Sequence, residues 1–331
     1  MKQKIIETIR KNNLIEKGDK IVLGVSGGPD SICMLDVLDE ISKNKELGYE
    51  FKIIVAHVNH MIREEAKEDE EYVKDYCDKN GIEFYSKSID VQKIANNNKI
   101  GTEEAGRNAR YDFFEEVSML PNVMANKVAI AHNKNDKVET ILMNILRGSG
   151  IAGLKGIEPK RGKYIRPLID CERVEIEKYC GDNDLNPRID KTNFENIYTR
   201  NKIRNVVIPY IKEEFNPNII DTIDRLSILI GEECDFMDNQ VKKEYEQILI
   251  QEDLDKIVLN LKKFNSLEKV IKSRLLLYTI SRLFGSSKGI EKIHIEDIIK
   301  LCGNNIGNKY LTPNKNIKIL VKEHKIYFEK Q

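Results

Sequence analysis

The amino-acid sequence predicts an α/β protein in two parts: a parallel sheet with helices on both faces, then a mainly helical domain that ends in a short β-hairpin. Short apolar runs alternate with helix-length segments from residue 20 to residue 146. Helical periodicity dominates from residue 218, and the tail at residues 316–329 alternates apolar and polar residues. Repeated β-α units imply a parallel sheet, and alternation around a turn implies a hairpin.

The first β-α unit contains the most informative segment. Residues 21–25 read IVLGV, the turn SGGPDS follows at residues 26–31, and apolar residues at helical spacing come next. A strand, a glycine turn and a helix in this order direct backbone N–H groups and a helix N-terminus at a phosphate. The loop lacks the lysine of a Walker A motif. An ordinary tight turn is the alternative interpretation.

The alternation continues along the first domain, which we place at residues 1–214. The strands expected after the loop are residues 51–58, 82–88 and 127–131, and the helices are residues 64–80, 102–119, 136–146 and 172–180. Residues 147–156 are rich in glycine, which indicates a functional loop. In such a sheet, ligands bind beyond the carboxyl ends of the strands.

The second domain is placed at residues 215–331. Its expected helices are residues 218–251, 266–284 and 293–301, and the hairpin closes the chain with a turn near Glu323. The long periodic segments have the spacing of amphipathic helices that cover one core.

Charge and composition limit the classes of function. Lys and Arg total 54, and Asp and Glu also total 54, so the net charge of the 331 residues is zero. A globally basic nucleic-acid binder is not indicated, although residues 188–212 form a local basic patch. The six cysteines include no C-x-x-C pair, so a zinc site or iron–sulfur cluster has no support. No signal peptide or membrane span is evident, and we expect a soluble, cytoplasmic protein.

The loop and four later segments carry a family resemblance. SGGPDS resembles the pyrophosphate loop (PP-loop) of the ATP pyrophosphatases, which cleave ATP between the α- and β-phosphates. The later segments are HVNHMIR at residues 57–63, a Glu-Ala to Phe-Phe stretch at residues 104–114, residues 131–154, and residues 190–209. Together they resemble the tRNA(Ile)-lysidine synthetases, which use ATP to attach lysine to the wobble cytidine of an isoleucine tRNA.

The resemblance implies a Rossmann-like PP-loop ATPase fold, with ATP and Mg²⁺ as cofactors. The implied partners are a tRNA(Ile) with a CAU anticodon and free L-lysine, and whether the chain forms a homodimer stays open. Longer members of the family carry a third, C-terminal domain, which we expect this chain to lack. The implied product is lysidine, formed through an adenylated cytidine with release of AMP and pyrophosphate. This modification changes codon specificity from AUG to AUA and amino-acid specificity from Met to Ile.

The resemblance also implies roles for particular residues. The expected ATP-binding residues are Ser26, Gly27, Gly28, Pro29, Asp30, Ser31, His57 and Arg110. The expected catalytic residues are Asp30, Arg110, Asp136, Glu139, Arg200 and Arg204. The expected tRNA-binding residues are Arg63, Arg147, Arg200 and Arg204. Asp136 and Glu139 are expected to bind the lysine, and Asp30 to coordinate Mg²⁺.

Each role has a plainer alternative. Asp30 would need a divalent cation between its carboxylate and phosphates, but it could instead cap a helix. Asp136 and Glu139 share one helix face and suit an ammonium group, but they could form a solvated first turn. Arg200 and Arg204 suit phosphate oxygens, but they could lie on a solvated basic helix.

Two positions depart from the family pattern. Asn133 stands where the family has a second His, and Asn135 stands where it has the first Asp of a pair. Two other functions remain open: a tRNA thiolase or other PP-loop enzyme, and an RNA-binding module with a regulatory ATP site. The lack of C-x-x-C argues against the thiolase.

Overall fold

The computed structural model describes residues 1–59, 66–188, 198–304, 309–314 and 316–330. The chain divides into two compact units, residues 1–228 and residues 229–331. The predicted domain boundary at residues 214 and 215 lies just before a long helix, Ile219–Ile248, which runs through this division. The domain assignment itself stays a prediction.

Unit 1 contains a six-stranded sheet in the order β3-β2-β1-β4-β6-β5. Its strands are β1 (Lys20–Gly24), β2 (Lys52–Asn59), β3 (Glu83–Ser88), β4 (Lys127–Ile130), β5 (Lys160–Arg161) and β6 (Tyr164–Ile165). Every neighbouring pair is parallel except β5 with β6. The predicted parallel α/β sheet is therefore confirmed.

The helices of unit 1 follow the strands closely. They are α1 (Lys2–Lys11), α2 (Pro29–Lys43), α3 (Ala66–Asn80), α4 (Val91–Asn98), α5 (Thr102–Met119), α6 (Lys134–Leu146), α7 (Arg173–Asp182), α8 (Thr199–Lys202) and α9 (Ile208–Glu214). The short turn Ile151–Lys155 is a 3₁₀ helix, and Ile203–Val207 forms a π-helical turn between α8 and α9. These elements confirm the predicted β-α alternation.

Both faces of the sheet are covered because its central strand is apolar on both sides. Ile21 and Leu23 belong to one buried cluster, and Val22 belongs to a second one with Phe113 and Phe114 of α5. Successive strand residues point to opposite faces, so the run IVL supplies both cores.

The strand order indicates where a ligand of this sheet would bind. β1 and β4 are neighbours, but the chain leaves β1 towards β2 on one side and leaves β4 towards β6 on the other. Ligands of open α/β sheets bind at the carboxyl edge where the direction reverses in this way. The loop after β1 and the start of α6 after β4 meet at this point.

The C-terminal part of the chain, from residue 219 onward, contains helices and an antiparallel sheet. The elements are α10 (Ile219–Ile248), α11 (Leu261–Ser266), α12 (Lys269–Phe284), α13 (Lys292–Gly303), β7 (Leu249–Glu252), β8 (Lys256–Asn260), β9 (Lys309–Asn314), β10 (Ile317–Lys322) and β11 (Lys325–Lys330). The predicted hairpin is β10–β11, and its turn residues Glu323 and His324 have positive φ. The hairpin belongs to a five-stranded sheet, β7-β8-β11-β10-β9, so unit 2 contains three more β-strands than the sequence predicts.

Among the described residues, no helix has the length and apolar character needed to span a bilayer.

Candidate active site

The PP-loop forms a cradle between β1 and α2. Gly27 has φ +90°, a conformation that side chains other than glycine rarely adopt, and it turns the chain sharply. The Ser31 hydroxyl accepts from the Ser26 N–H at 3.1 Å and donates to the Gly28 carbonyl at 2.9 Å, which fixes the loop. Gly28 is the N-cap residue of α2, and no side chain caps the first turn. The N-terminus of α2 is therefore arranged as an anion site.

Asp30 lies in the first turn of α2, with Gly28 rather than Asp30 as the cap. Its Oδ1 accepts from Asn133 Nδ2 at 2.8 Å. Burial raises the pKa of Asp30 to about 6, and the charge of Asp136 adds to the rise. The ionised carboxylate is thus unfavourable in the free protein, and a cation beside it would relieve that cost.

The start of α6 is fixed by a reciprocal cap. The Asn133 side chain accepts from the Asp136 N–H at 2.9 Å, and the Asp136 carboxylate accepts from the Asn133 N–H at 3.1 Å. Asn135 Oδ1 accepts from the Arg173 N–H at 3.0 Å, which ties α6 to the first residue of α7. Both departures from the family pattern therefore have structural roles in this chain.

Asp136 and Glu139 face arginines rather than solvent. Both side chains are buried, and the Glu139 side chain is 1% exposed. Its carboxylate accepts hydrogen bonds from Arg200 Nε at 2.8 Å and from Arg204 Nε at 2.7 Å. Asp136 Oδ1 lies 3.3 Å from Arg200 Nη2 and 3.1 Å from Arg204 Nη2. Arg173 Nη2 lies 3.5 Å from Asp136 and 3.6 Å from Glu139. We call these five residues the carboxylate–arginine network.

The network rules out the plainer alternatives for its members. Three guanidinium groups surround two buried carboxylates, so neither a solvated first turn nor a solvated basic helix describes them. Burial lowers the pKa of Arg200 and Arg204, but the charges of Asp136 and Glu139 outweigh it, and the net pKa shift is upward. The sequence does not predict a role for Arg173. Its position in the first turn of α7, downstream of a family motif, gave no signal of this contact.

His57 contacts the loop from inside the protein. It is 2% exposed, and its Nδ1 donates to the Val25 carbonyl at 2.9 Å, at the junction of β1 and the loop. Burial lowers the pKa of His57, which favours its neutral form. A direct contact of His57 with ATP stays a prediction, since the side chain supports the backbone of the loop.

The other predicted residues lie in different places. Arg110 is exposed on α5 and lies close enough to His132 and Arg200 to act on them electrostatically. Arg147 is exposed at the C-terminal end of α6, about 16 Å along the helix from Asp136. The structure therefore does not bring Arg147 to the network. Arg63 lies outside the described residues.

Cation sites built only from protein side chains are not found in the described residues. No group of three or more His, Cys, Asp or Glu side chains there is arranged to hold a metal. All six cysteines are buried and unpaired by disulfides. A magnesium ion at Asp30 would therefore take its other ligands from phosphate oxygens and water, as is usual for Mg²⁺.

Comparison with known proteins adds independent information. The family of PP-loop domains matches residues 1–211. A tRNA(Ile)-lysidine synthase of Clostridioides difficile is 44% identical over 325 residues, covering 98% of this chain and 69% of that protein. The enzyme of the same name from Clostridium acetobutylicum is 47% identical over 312 residues, covering 94% and 66%. This chain spans about two thirds of the length of these relatives.

Among solved structures, the U34-tRNA thiolase NcsA of Methanococcus maripaludis, with its [4Fe-4S] cluster, has a TM-score of 0.55 at 20% identity. The alignment covers 69% of this chain and 79% of that one, and it shows a shared fold. The family match and the identities over nearly the whole chain agree with the sequence motifs. The chain belongs to the PP-loop domain family and, within it, to the tRNA(Ile)-lysidine synthases.

Proposed function

We propose that the chain is a carbon–nitrogen ligase that attaches lysine to C2 of the wobble cytidine in the CAU anticodon of tRNA(Ile). The reaction consumes ATP and releases AMP and pyrophosphate. One observation carries the proposal: the PP-loop and the carboxylate–arginine network lie at the same carboxyl edge of the sheet, joined by the Asp30–Asn133 hydrogen bond. A phosphate site beside buried charged groups suits adenylation followed by attack of an amine.

In the first step the cytidine carbonyl oxygen attacks the α-phosphate, and pyrophosphate leaves. The N-terminus of α2 and the glycine backbone of the loop would bind the phosphates that depart. Asp30 would hold a bound Mg²⁺, which would neutralise charge on the phosphates. Oδ2 of Asp30 suits this role. Within the described residues, the hydrogen bond from Asn133 goes to Oδ1 and leaves Oδ2 available.

In the second step the lysine amine attacks C2 and AMP leaves. Adenylation makes this step feasible because AMP is a far better leaving group than a carbonyl oxygen. Asp136 and Glu139 are the anionic groups available to an ammonium of lysine. Since arginines already contact both carboxylates, lysine must share them or displace an arginine. An arginine released in this way could turn towards phosphate or tRNA.

The experiment combines protein, ATP, Mg²⁺, labelled lysine and a transcript of tRNA(Ile) with a CAU anticodon. We expect label in the RNA and an equal amount of AMP, and neither product with a transcript whose wobble cytidine is replaced. Label should also be lost with Asp136→Asn. An exposed variant, Asp75→Asn on α3, serves as the matched control and should keep full activity. Absence of both label and AMP would refute the ligase.

The same assay separates the other functions. A regulatory ATP site would bind ATP without releasing pyrophosphate, and a thiolase would not need lysine. The remaining parts of the proposal are tRNA contacts by the second domain, a cytoplasmic location and association into a homodimer. Light scattering on the purified protein measures the homodimer directly.

A further inference from the structure

His132 follows β4 and precedes the cap residue of α6, so it lies at the carboxyl edge of the sheet. It is half-buried, and within the described residues its ring has no hydrogen bond to the loop or to the carboxylate–arginine network. Its one side-chain hydrogen bond within the described residues comes from Arg166, the residue after β6. Arg166 Nε lies 3.2 Å from His132 Nδ1.

This hydrogen bond determines the protonation of the imidazole. A guanidinium can only donate, so Nδ1 must be the acceptor and cannot carry a proton. In the neutral ring the proton is then on Nε2, on the other side of the imidazole. Nε2 has no hydrogen-bond partner among the residues that the structure describes, which leaves this donor available to a ligand.

Arg166 is itself held firmly. It is 6% exposed, and its Nη1 donates to the Glu158 carbonyl at 2.7 Å. Tyr111 of α5 lies close to the Arg166 side chain and acts on it electrostatically. Because the guanidinium is fixed by these contacts, it presents Nε to His132 in one orientation.

The surroundings of His132 are strongly positive. Arg166, Arg200, Arg110 and Arg107 face it from three parts of the chain: the segment after β6, the helix α8 and the helix α5. Burial first, and then these four charges, lower the pKa of His132 to about 3. The nearby carboxylates, Asp136 and Glu139 on α6, already form ion pairs with Arg173, Arg200 and Arg204. The positive charge around His132 would attract an anionic oxygen, and it disfavours protonation of the ring to the imidazolium form.

We propose that Arg166 is a positioning residue that holds His132 as the neutral Nε2–H tautomer, and that His132 donates a hydrogen bond to an anionic oxygen of the substrate. The second half rests on the proposed function, in which negative charge develops on the α-phosphate during adenylation. A donor fixed before the reaction stabilises such charge without reorganisation. His132 is thereby excluded as the base that accepts a proton.

The tautomer can be measured without any substrate. The sequence has five histidines, so nitrogen-15 labelling of histidine gives few signals, and His132→Gln identifies those of residue 132. We expect a protonated Nε2 and an unprotonated Nδ1 from pH 8 down to pH 5. A ring protonated at Nδ1, or a doubly protonated ring at pH 7, would overturn the proposal.

Two variants of Arg166 separate its hydrogen bond from its charge. Gln places a donor nitrogen where Arg has Nε, so Arg166→Gln should keep the tautomer while the pKa of His132 rises. Met has similar length and no donor, so Arg166→Met should yield a mixture of tautomers. Unchanged ring signals in Arg166→Met would contradict the positioning role. Circular dichroism checks that both variants fold.

Pyrophosphate release with ATP and tRNA tests the role of the donor. Gln at residue 132 keeps a donor near the position of Nε2, and Leu keeps volume only. We expect His132→Gln to lose less than about tenfold and His132→Leu to lose about 100-fold in kcat. Equal losses in both variants would overturn the donor role. Failure of the wild-type ligase assay would instead refute the proposed function and leave the tautomer result intact.

Discussion

Asp30→Asn should stabilise the folded protein while it abolishes ligase activity. The pKa of Asp30 is raised from 3.8 to about 6, mainly by burial. A carboxyl whose pKa is higher in the folded than in the unfolded state destabilises the fold wherever it is ionised. Two pKa units correspond to about 3 kcal/mol, which is an upper limit for a side chain that is only partly buried. Asparagine removes the charge and can still accept the hydrogen bond from Asn133.

The gain should depend on pH in a defined way. Above pH 6 the carboxylate is ionised in both states and the full difference is present. As pH falls from 6 to 4 the folded protein takes up a proton first, so the advantage of asparagine shrinks, and below pH 3.8 it vanishes. The thermal unfolding midpoint of unit 1, measured at pH 7.5, 5 and 3.5, tests this pH dependence. We expect Asp30→Asn to raise the midpoint by about 3–10 °C at pH 7.5. The control variant Asp75→Asn should leave the unfolding midpoint unchanged at each pH. A midpoint that falls, or a rise independent of pH, would refute the reasoning.

Three further changes test other parts of the site. Glu139→Gln should destabilise the protein by about 3 kcal/mol in urea unfolding, because three guanidiniums would then share the single buried carboxylate of Asp136. Gly27→Ala should cost about 1–2 kcal/mol and weaken ATP binding in calorimetry, because its φ of +90° is strained for alanine. Asn133→Asp should raise the pKa of Asp30 further and lower the urea midpoint at pH 7, with recovery at pH 5. A stabilising effect of any of the three at pH 7 would contradict its explanation.

The sheet was predictable because its signals are local. The apolar run after residue 20 and the glycine turn that follows report a buried strand and a sharp turn directly. The helix at residues 102–119 has the predicted bounds, since its apolar spacing is regular. By contrast, β8 pairs with β11, some seventy residues away in sequence. Such pairings depend on tertiary contacts, which is why the five-stranded sheet was missed.

The site was predictable in composition but not in connectivity. The sequence motifs indicate Asp136, Glu139, Arg200 and Arg204 as site residues, but they predict lysine contacts for the two carboxylates and phosphate contacts for the two arginines. The structure shows that they neutralise one another, at distances of 2.7 to 3.3 Å. Which charged groups meet depends on how α6 and α8 pack, and the spacing of residues within each helix carries no information about that.

The departure at Asn133 is compatible with the site for a physical reason. This residue joins the Asp30 carboxylate to the first turn of α6, since its amide nitrogen donates to Asp30 and its amide oxygen accepts from the Asp136 backbone N–H. The position thus requires a short neutral side chain with both a donor and an acceptor. Aspartate would lack the donor and add a third negative charge, whereas a neutral histidine offers one donor and one acceptor on a ring. Asparagine meets the same requirement as histidine, so the departure leaves the link between the PP-loop and the carboxylate–arginine network in place.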